Sequence, residues 1–269
     1  MMSKLNQSIF SGITACFLLV SGILNGQTLR FKNYGTDSKI PDGFVYSLIQ
    51  GNNGYLWVST GNGLSKFDGF DFYNVEFPDS AQRYPTSDLK DINGTLWFGC
   101  NDGTVFYLQN EVLKPLSIQN EKSISAIISG PDNFIYIIPQ GGHIYKVNPS
   151  KPDEISIYPL DKDIVVFSAC FSRSGDLLLG TQYYIKVCSI SSKAISIKSS
   201  IEGFNYSNVL AINRINDKDV YLIGTEGSGL YRLEMAQGKN ILSHFENYKE
   251  PGSLSIKSIF RDQENDFWI

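Results

Sequence analysis

Only two histidines, His143 and His244, occur in the 269 residues, and no cysteine lies near either of them in the chain. That excludes the ligand spacing of a zinc site. Asp37, Asp42, Asp68 and Asp71 do not follow a calcium-loop spacing either, so no metal or cofactor is expected. Charge of one sign is also missing. Lys and Arg total 23 against 27 Asp and Glu, the net charge is −4, and no basic run occurs. Nucleic-acid binding therefore has no electrostatic footing. No Gly-x-Ser-x-Gly elbow is present for nucleophilic hydrolysis. Beyond the first residues there is no sustained apolar period of 3.6, which argues against helices. Cysteines number four. Without the N-terminal stretch three remain, Cys100, Cys170 and Cys188, each in or beside an apolar run. An odd, loosely spaced set is no disulfide framework. Buried free thiols are expected, with one disulfide left open.

What the chain does contain begins with an address. Lys4 precedes a mostly apolar stretch from Ile9 to Leu24, followed by Asn25-Gly26-Gln27. A run of this length and flank fits a signal peptide over residues 1–26. An uncleaved N-terminal anchor is the alternative, because Leu24 stands where a small residue is preferred. Residues 27–269 form the second region.

That region repeats. Short Val/Ile/Leu/Tyr/Phe runs alternate with Gly- and Asn-rich turns, the pattern of strands and hairpins. Aligning the runs places Trp57, Trp97, Tyr136, Leu178, Leu222 and Trp268 in register, at separations of 40, 39, 42, 44 and 46 residues. A period near 40 is that of a four-stranded propeller blade. The fold class is therefore all-β: a β-propeller with about five blades and a truncated sixth. In each unit a first strand (Val45 to Gln50, Ser123 to Ser129, Val165 to Ser172, Val209 to Arg214, Ile256 to Asp262) leads through a polar turn to the anchor strand. Gly and Asn recur in the turns because they tolerate positive φ. A blade alone cannot bury both faces, so the anchors are expected in the core between blades, Trp268 included.

Arg30-Phe31-Lys32-Asn33-Tyr34 looks like His244-Phe245-Glu246-Asn247-Tyr248, the outer strand of the fifth unit. The first is thus expected to be an outer strand completing a last blade. The chain ends at Trp268-Ile269 inside an anchor strand. The propeller is accordingly expected to be incomplete at its C-terminus.

Pro41-Asp42-Gly43-Phe44-Val45-Tyr46-Ser47-Leu48, Gly54-Tyr55-Leu56-Trp57-Val58-Ser59-Thr60 and Gly63-Leu64-Ser65-Lys66-Phe67-Asp68-Gly69 together resemble the two-component regulator propeller repeat. Phe44 replaces the usual Leu. Ser59 replaces the usual Gly, which returns as Gly99, Gly180 and Gly224, and the third unit departs furthest with Tyr136 and Pro139. The resemblance implies the periplasmic sensor of a membrane-anchored hybrid histidine kinase, with an oligosaccharide ligand. It also implies further propeller and signalling domains in the same protein and a homodimeric full-length form. A secreted adhesion or scaffold propeller and a secreted carbohydrate-active enzyme are the competing classes. This segment itself is expected to be non-catalytic, with His143 beside Gly141-Gly142 as the only candidate for lyase-type chemistry.

Loops joining second to third strands, and fourth strands to the next first strand, share one face, which is the expected binding face. It carries Asn62, Arg83, Tyr84, Asn101, Asp102, Gln140, Gln182, Tyr183, Tyr206 and Glu226. Tyrosines with amide and guanidinium groups suit carbohydrate, and Arg83 with Tyr84 form the leading pair because their connection is long and aromatic.

Overall fold

A computed structural model of the chain describes residues 33–35, 40, 42–91, 93–215, 218–236, 239–245, 254–261 and 266–269. The expected leader and residues 30–32 and 246–248 of the two similar end segments lie outside the described residues.

The blades all lie in one compact unit, residues 35–269. Blade 1 comprises β1 (Val45–Gln50), β2 (Leu56–Thr60), β3 (Gly63–Phe67) and β4 (Phe72–Val75). Blade 2 comprises β5 (Pro85–Lys90), β6 (Leu96–Cys100), β7 (Val105–Gln109) and β8 (Val112–Pro115). Blade 3 comprises β9 (Ile124–Ser129), β10 (Ile135–Pro139), β11 (His143–Asn148) and β12 (Lys151–Pro159). Blade 4 comprises β13 (Val166–Phe171), β14 (Leu177–Thr181), β15 (Ile185–Ile190) and β16 (Ile195–Ile201). Blade 5 comprises β17 (Val209–Arg214), β18 (Val220–Thr225), β19 (Leu230–Ala236) and β20 (Lys239–His244). A two-stranded sheet of β21 (Phe260–Arg261) and β22 (Phe267–Trp268) follows. Each full blade is an antiparallel meander, with strands bonded in chain order. Successive first strands, β1, β5, β9, β13 and β17, pack side by side.

The turn chemistry explains the hairpins. At four first-to-second turns the last residue closes a bond to the residue three back: Gly54 to Gly51, Gly94 to Asp91, Asn133 to Gly130 and Gly175 to Ser172. That last residue has φ of 85°, 80°, 63° and 85° respectively. Each is a tight turn closed by a left-handed residue, a position that favours Gly and Asn.

Strand periodicity explains the anchors. Side chains alternate between the two faces of a sheet, and each second strand is covered on both. Trp57 and Leu64 pack on Leu96, Phe98 and Phe106 of the next blade. Trp97 packs on Ile124, Ile135 and Ile137, and Tyr136 on Leu177 and Leu179. Leu178 packs on Tyr221 and Ile223, and Leu222 on Ile256 and Ile259. The anchor thus faces the following blade and its two neighbours face the preceding one.

Trp268 departs from this scheme. It is 56% exposed, because β22 pairs only with β21 and no described element covers it. The sixth unit's first strand is also shorter than the expected Ile256 to Asp262, being only β21. Ile256 and Ile259 nevertheless bury against blade 5 ahead of that strand.

Two recurrent devices join the blades. The first-to-second strand register slips by one residue at the start of the first strand in each of the five full blades, at Tyr46, Thr86, Ser125, Phe167 and Leu210. Such bulges bend a strand and redirect its side chains. Hydroxyls beside them reach the next blade: Thr86 Oγ1 donates to Ile124 O (2.7 Å), Ser125 Oγ to Val166 O (2.7 Å) and Ser168 Oγ to Val209 O (2.9 Å).

Asp91 shows how one turn supports an anchor. Its carboxylate accepts from the Asn93 and Thr95 amides and, at 3.0 Å, from the Trp97 indole. Gly51 holds the same place in blade 1, and among the described residues the buried Trp57 indole N–H meets no acceptor there. Asp91→Ala should cost about 2 kcal/mol, since it orphans a buried donor and loosens the turn. Urea denaturation of the two proteins checks this.

Candidate ligand-binding face

Strand direction puts the second-to-third loops and the fourth-to-next-first connections at one end of every blade. The candidate residues there fall into two groups.

The first group surrounds the connection from β4 to β5. Arg83 was expected to reach a ligand, but only 7% of it is exposed. Its NH1 and NH2 donate to Asp79 at 3.1 and 2.8 Å. Its Nε lies 2.8 Å from Asp102 Oδ2, a charge contact in which the N–H points off the oxygen. The guanidinium centre sits 5.5 Å from the Phe77 ring and 5.4 Å from Phe106. Two carboxylates therefore hold the guanidinium, and the adjoining Phe77 and Phe106 rings, centroids 5.0 Å apart, pack against it, so little of it is left for a ligand. Arg83 holds Asp79 below the usual carboxylate range by hydrogen bonding and charge. Asp102 also accepts from Thr104, and the Asn101 side-chain oxygen accepts the Tyr84 amide at 3.0 Å. The Tyr84 ring stacks on Tyr46, centroids 4.6 Å apart, and Phe44 lies 5.5 Å from Tyr46. This group is a clamp of paired charges with an aromatic rim.

The second group joins three connections of blades 4 and 5. Gln182 and Tyr183 lie between β14 and β15, Tyr206 between β16 and β17, and Glu226 between β18 and β19. Asn208 Nδ2 donates to Glu226 Oε2 at 2.7 Å, and the Ser207 and Ser228 hydroxyls are 2.6 Å apart. Tyr183 and Tyr206 meet edge to face, centroids 6.1 Å apart, and are 42% and 87% exposed.

Their backbones are unusual. In blades 1, 2, 3 and 5 the second-to-third loop places a glycine in the left-handed region: Gly63, Gly103, Gly142 and Gly229. Blade 4 places Tyr183 there, at φ 68°. Asn205 and Tyr206 are also left-handed, at 48° and 57°. Bulky residues adopt this conformation only when the surroundings impose it, at a cost of order 1–3 kcal/mol, and such residues gather at functional sites. The repeat alignment contains this signal, as the missing loop glycine of blade 4. The contact itself could not be read, because its two rings come from different connections.

Asn62 and Gln140 lie on the same end but in neither group. His143 is exposed at the start of β11, 6.4 Å from the Tyr145 ring, and no hydrogen bond reaches it among the described residues. His244 Nε2 lies 2.9 Å from Ser228 O. Among the described residues no three His, Cys, Asp or Glu side chains are placed to hold a metal. Cys100, Cys170 and Cys188 are free thiols, and burial pushes them up to about 12, 11 and 11.

Comparison with known proteins adds the following. Residues 39–62 match the family model of the two component regulator propeller. A streptogramin B lyase structure superposes with a TM-score of 0.67 at 17% identity, over 90% of this chain and 80% of that one. Extracellular domains of two hybrid two component systems from B. thetaiotaomicron also superpose. One gives a TM-score of 0.58 at 17% identity over 88% of this chain and 40% of that one. The other gives 0.53 at 19% over 84% and 36%. At these identities the likeness establishes the β-propeller fold. The chain spans two fifths or less of those two extracellular domains. No curated protein matches the sequence.

Proposed function

We propose that this chain, a propeller bearing a two component regulator propeller repeat at residues 39–62, is the ligand-sensing, extracytoplasmic part of a two-component signalling protein. Its ligand is a glycan fragment bound on the loop end of blades 4 and 5. The phosphotransfer output belongs to a histidine kinase encoded outside these 269 residues, and the segment itself is non-catalytic. In this reading the protein is exported and anchored at the inner membrane, with the propeller in the periplasm.

One observation carries the site: two exposed tyrosines in left-handed backbone, in contact across separate loops. Sugars present flat C–H faces that stack on such rings, and rings held in place lose little freedom on binding. Gln182, Glu226 and Asn208 supply polar groups beside them. Arg83 and Asp102 support the same end of the molecule from within.

The test separates binding from folding. Glycine suits a left-handed backbone, so Tyr183→Gly and Tyr206→Gly should keep or raise the melting temperature. Each should weaken glycan binding about tenfold or more, the equivalent of one stacking contact. Calorimetric titration with a panel of oligosaccharides measures both the wild type and the variants. A wild-type chain that binds no glycan, or variants that bind as well as wild type, would sink the assignment.

A further inference from the structure

Among the buried anchors, Trp57, Trp97 and Tyr136 carry a polar group. Two of the three are met by an aspartate of their own first-to-second turn: Asp91 Oδ2 accepts from the Trp97 indole at 3.0 Å, and Asp132 Oδ2 from the Tyr136 hydroxyl at 3.0 Å. Trp57 is the exception. It is 3% exposed, and among the described residues its indole N–H meets no acceptor. Folded proteins pair nearly all their buried donors, because an unpaired one has lost its hydration for nothing, so each exception calls for a reason.

Trp57 lines a cavity of about 230 Å³ at the end of the blades opposite the tyrosine loops. Gly51 and Asn53 line it from the turn of blade 1, and Asn110 and Glu111 from blade 2. Gly51 stands where blade 2 has Asp91. A Cβ at Gly51 would lie 3.2 Å from the indole nitrogen and 2.9 Å from Asn53 Oδ1. The room that the Asp91 carboxylate uses in blade 2 is thus left, in blade 1, to the cavity and to the end of the Asn53 side chain. That side chain is lightly held. Its Nδ2 donates to Glu111 Oε1 at 2.9 Å, and its Oδ1 takes only a long bond, 3.4 Å, from the Tyr55 amide. Glu111 in turn pairs with Lys66 Nζ at 2.8 Å. Glu111 and Asn110 form the two-residue turn between β7 and β8, both in left-handed backbone at φ 62° and 51°. Asn suits such a turn, whereas Glu is a strained choice of the kind that gathers at functional sites.

We propose that this cavity is a second ligand site, for one neutral, hydroxyl-bearing ring such as a monosaccharide or a cyclitol. A ligand oxygen takes the Trp57 N–H, as Asp91 takes that of Trp97, and the Asn53 side chain turns aside to admit it. Hydroxyls both donate and accept, so the Asn110 amide and the Glu111 carboxylate can each serve them. Glu111 already has its cation in Lys66, and burying a further charge without a partner is costly, so the ligand is neutral. The volume lies just below the usual range for small-molecule sites, roughly 300–1,000 Å³, which limits the ligand to a single ring. The site uses residues of blades 1 and 2 and does not depend on the glycan reading of the loops of blades 4 and 5.

The experiment titrates the full chain by calorimetry with glucose, galactose, N-acetylglucosamine and myo-inositol, and with sodium glucuronate as the charged probe. At least one neutral probe should bind, and glucuronate should bind at least tenfold more weakly. Gly51→Asp gives blade 1 the arrangement of blade 2. Its carboxylate should take the indole N–H, lowering probe affinity at least tenfold while the melting temperature rises. Trp57→Phe removes the N–H and should weaken binding about tenfold. The proposal is overturned if no neutral probe binds, if glucuronate binds as well as they do, or if Gly51→Asp binds as wild type does. A probe lost in Tyr183→Gly but kept in Gly51→Asp would belong to the tyrosine loops and would overturn it equally.

Discussion

Gly180→Val should lower the stability of this protein by about 3 kcal/mol or more, a shift of roughly 10 °C for a domain of this size. Gly180 is the next-to-last residue of the anchor strand of blade 4, beside the start of blade 5. A Cβ there would lie 2.7 Å from the Val209 carbonyl oxygen and 2.9 Å from its Cγ1, and against the Ser168 hydroxyl. The methyl would enter the space where Ser168 donates to that same carbonyl. The Val209 carbonyl cannot retreat cheaply, because it is main chain at a fully buried strand position. Gly99 and Gly224 meet the next blade in the same way, at Ile124 and Ile256. Blade 3 shows the alternative: Ile138 takes this place and its cross-strand partner is Ala126, without a hydroxyl. Gly180→Ala should therefore cost less when Ser168→Ala accompanies it, with a coupling of about 1 kcal/mol. Thermal unfolding of wild type, both single variants and the double variant measures it. A Gly180→Val protein that melts with wild type would contradict the close approach.

Arg83→Ala should have the second largest effect, and on folding rather than on glycan affinity. Removing one partner from a buried charge cluster strands the others, at about 3 kcal/mol in fully buried cases. Asp79 and Asp102 stay partly open to water, so about 2 kcal/mol is expected. Lysine should rescue little of it. A single ammonium cannot pair two carboxylates through a planar fork while packed against the adjoining Phe77 and Phe106 rings. The effect carries a pH signature. Arg83 depresses the Asp79 pKa in the folded protein. The resulting stabilisation is present above the unfolded aspartate value, near 3.9, and is lost as pH falls through the depressed folded value. Wild type and Arg83→Ala should accordingly converge on acidification below about pH 4. Chemical denaturation at pH 7 and at stepwise lower pH tests both parts, and a gap that widens toward acid would contradict the clamp.

Much of the architecture was legible before any coordinates. Strands, turns and anchor positions follow from alternation and from Gly and Asn placement, which are local properties. The first strands Val45–Gln50 and Val209–Arg214 stand where the pattern put them. Trp268 did not follow, because burial of an anchor needs a following blade and the pattern of one strand cannot report its neighbour. The bulges that open the first strands of the five full blades leave no compositional trace, since Tyr46, Thr86, Ser125, Phe167 and Leu210 have no one side-chain type in common. The binding face was legible as a set of loops. The separation of Arg83 and Asp102 from Tyr183 and Tyr206 was not, because it depends on how the long connection after β4 folds back on the β6–β7 loop.

The one-way packing of anchors also bears on how such a chain can grow. Every interface joins the forward face of one blade to the rear face of the next, and the two faces are different surfaces. Tandem duplication of a blade would present each new copy with partners of the kind it already has. Lengthening by unequal crossing-over is therefore structurally tolerated wherever the breakpoints fall one repeat apart. The separations of 40, 39, 42 and 44 residues between the buried anchors record units that have drifted in loop length while keeping that polarity.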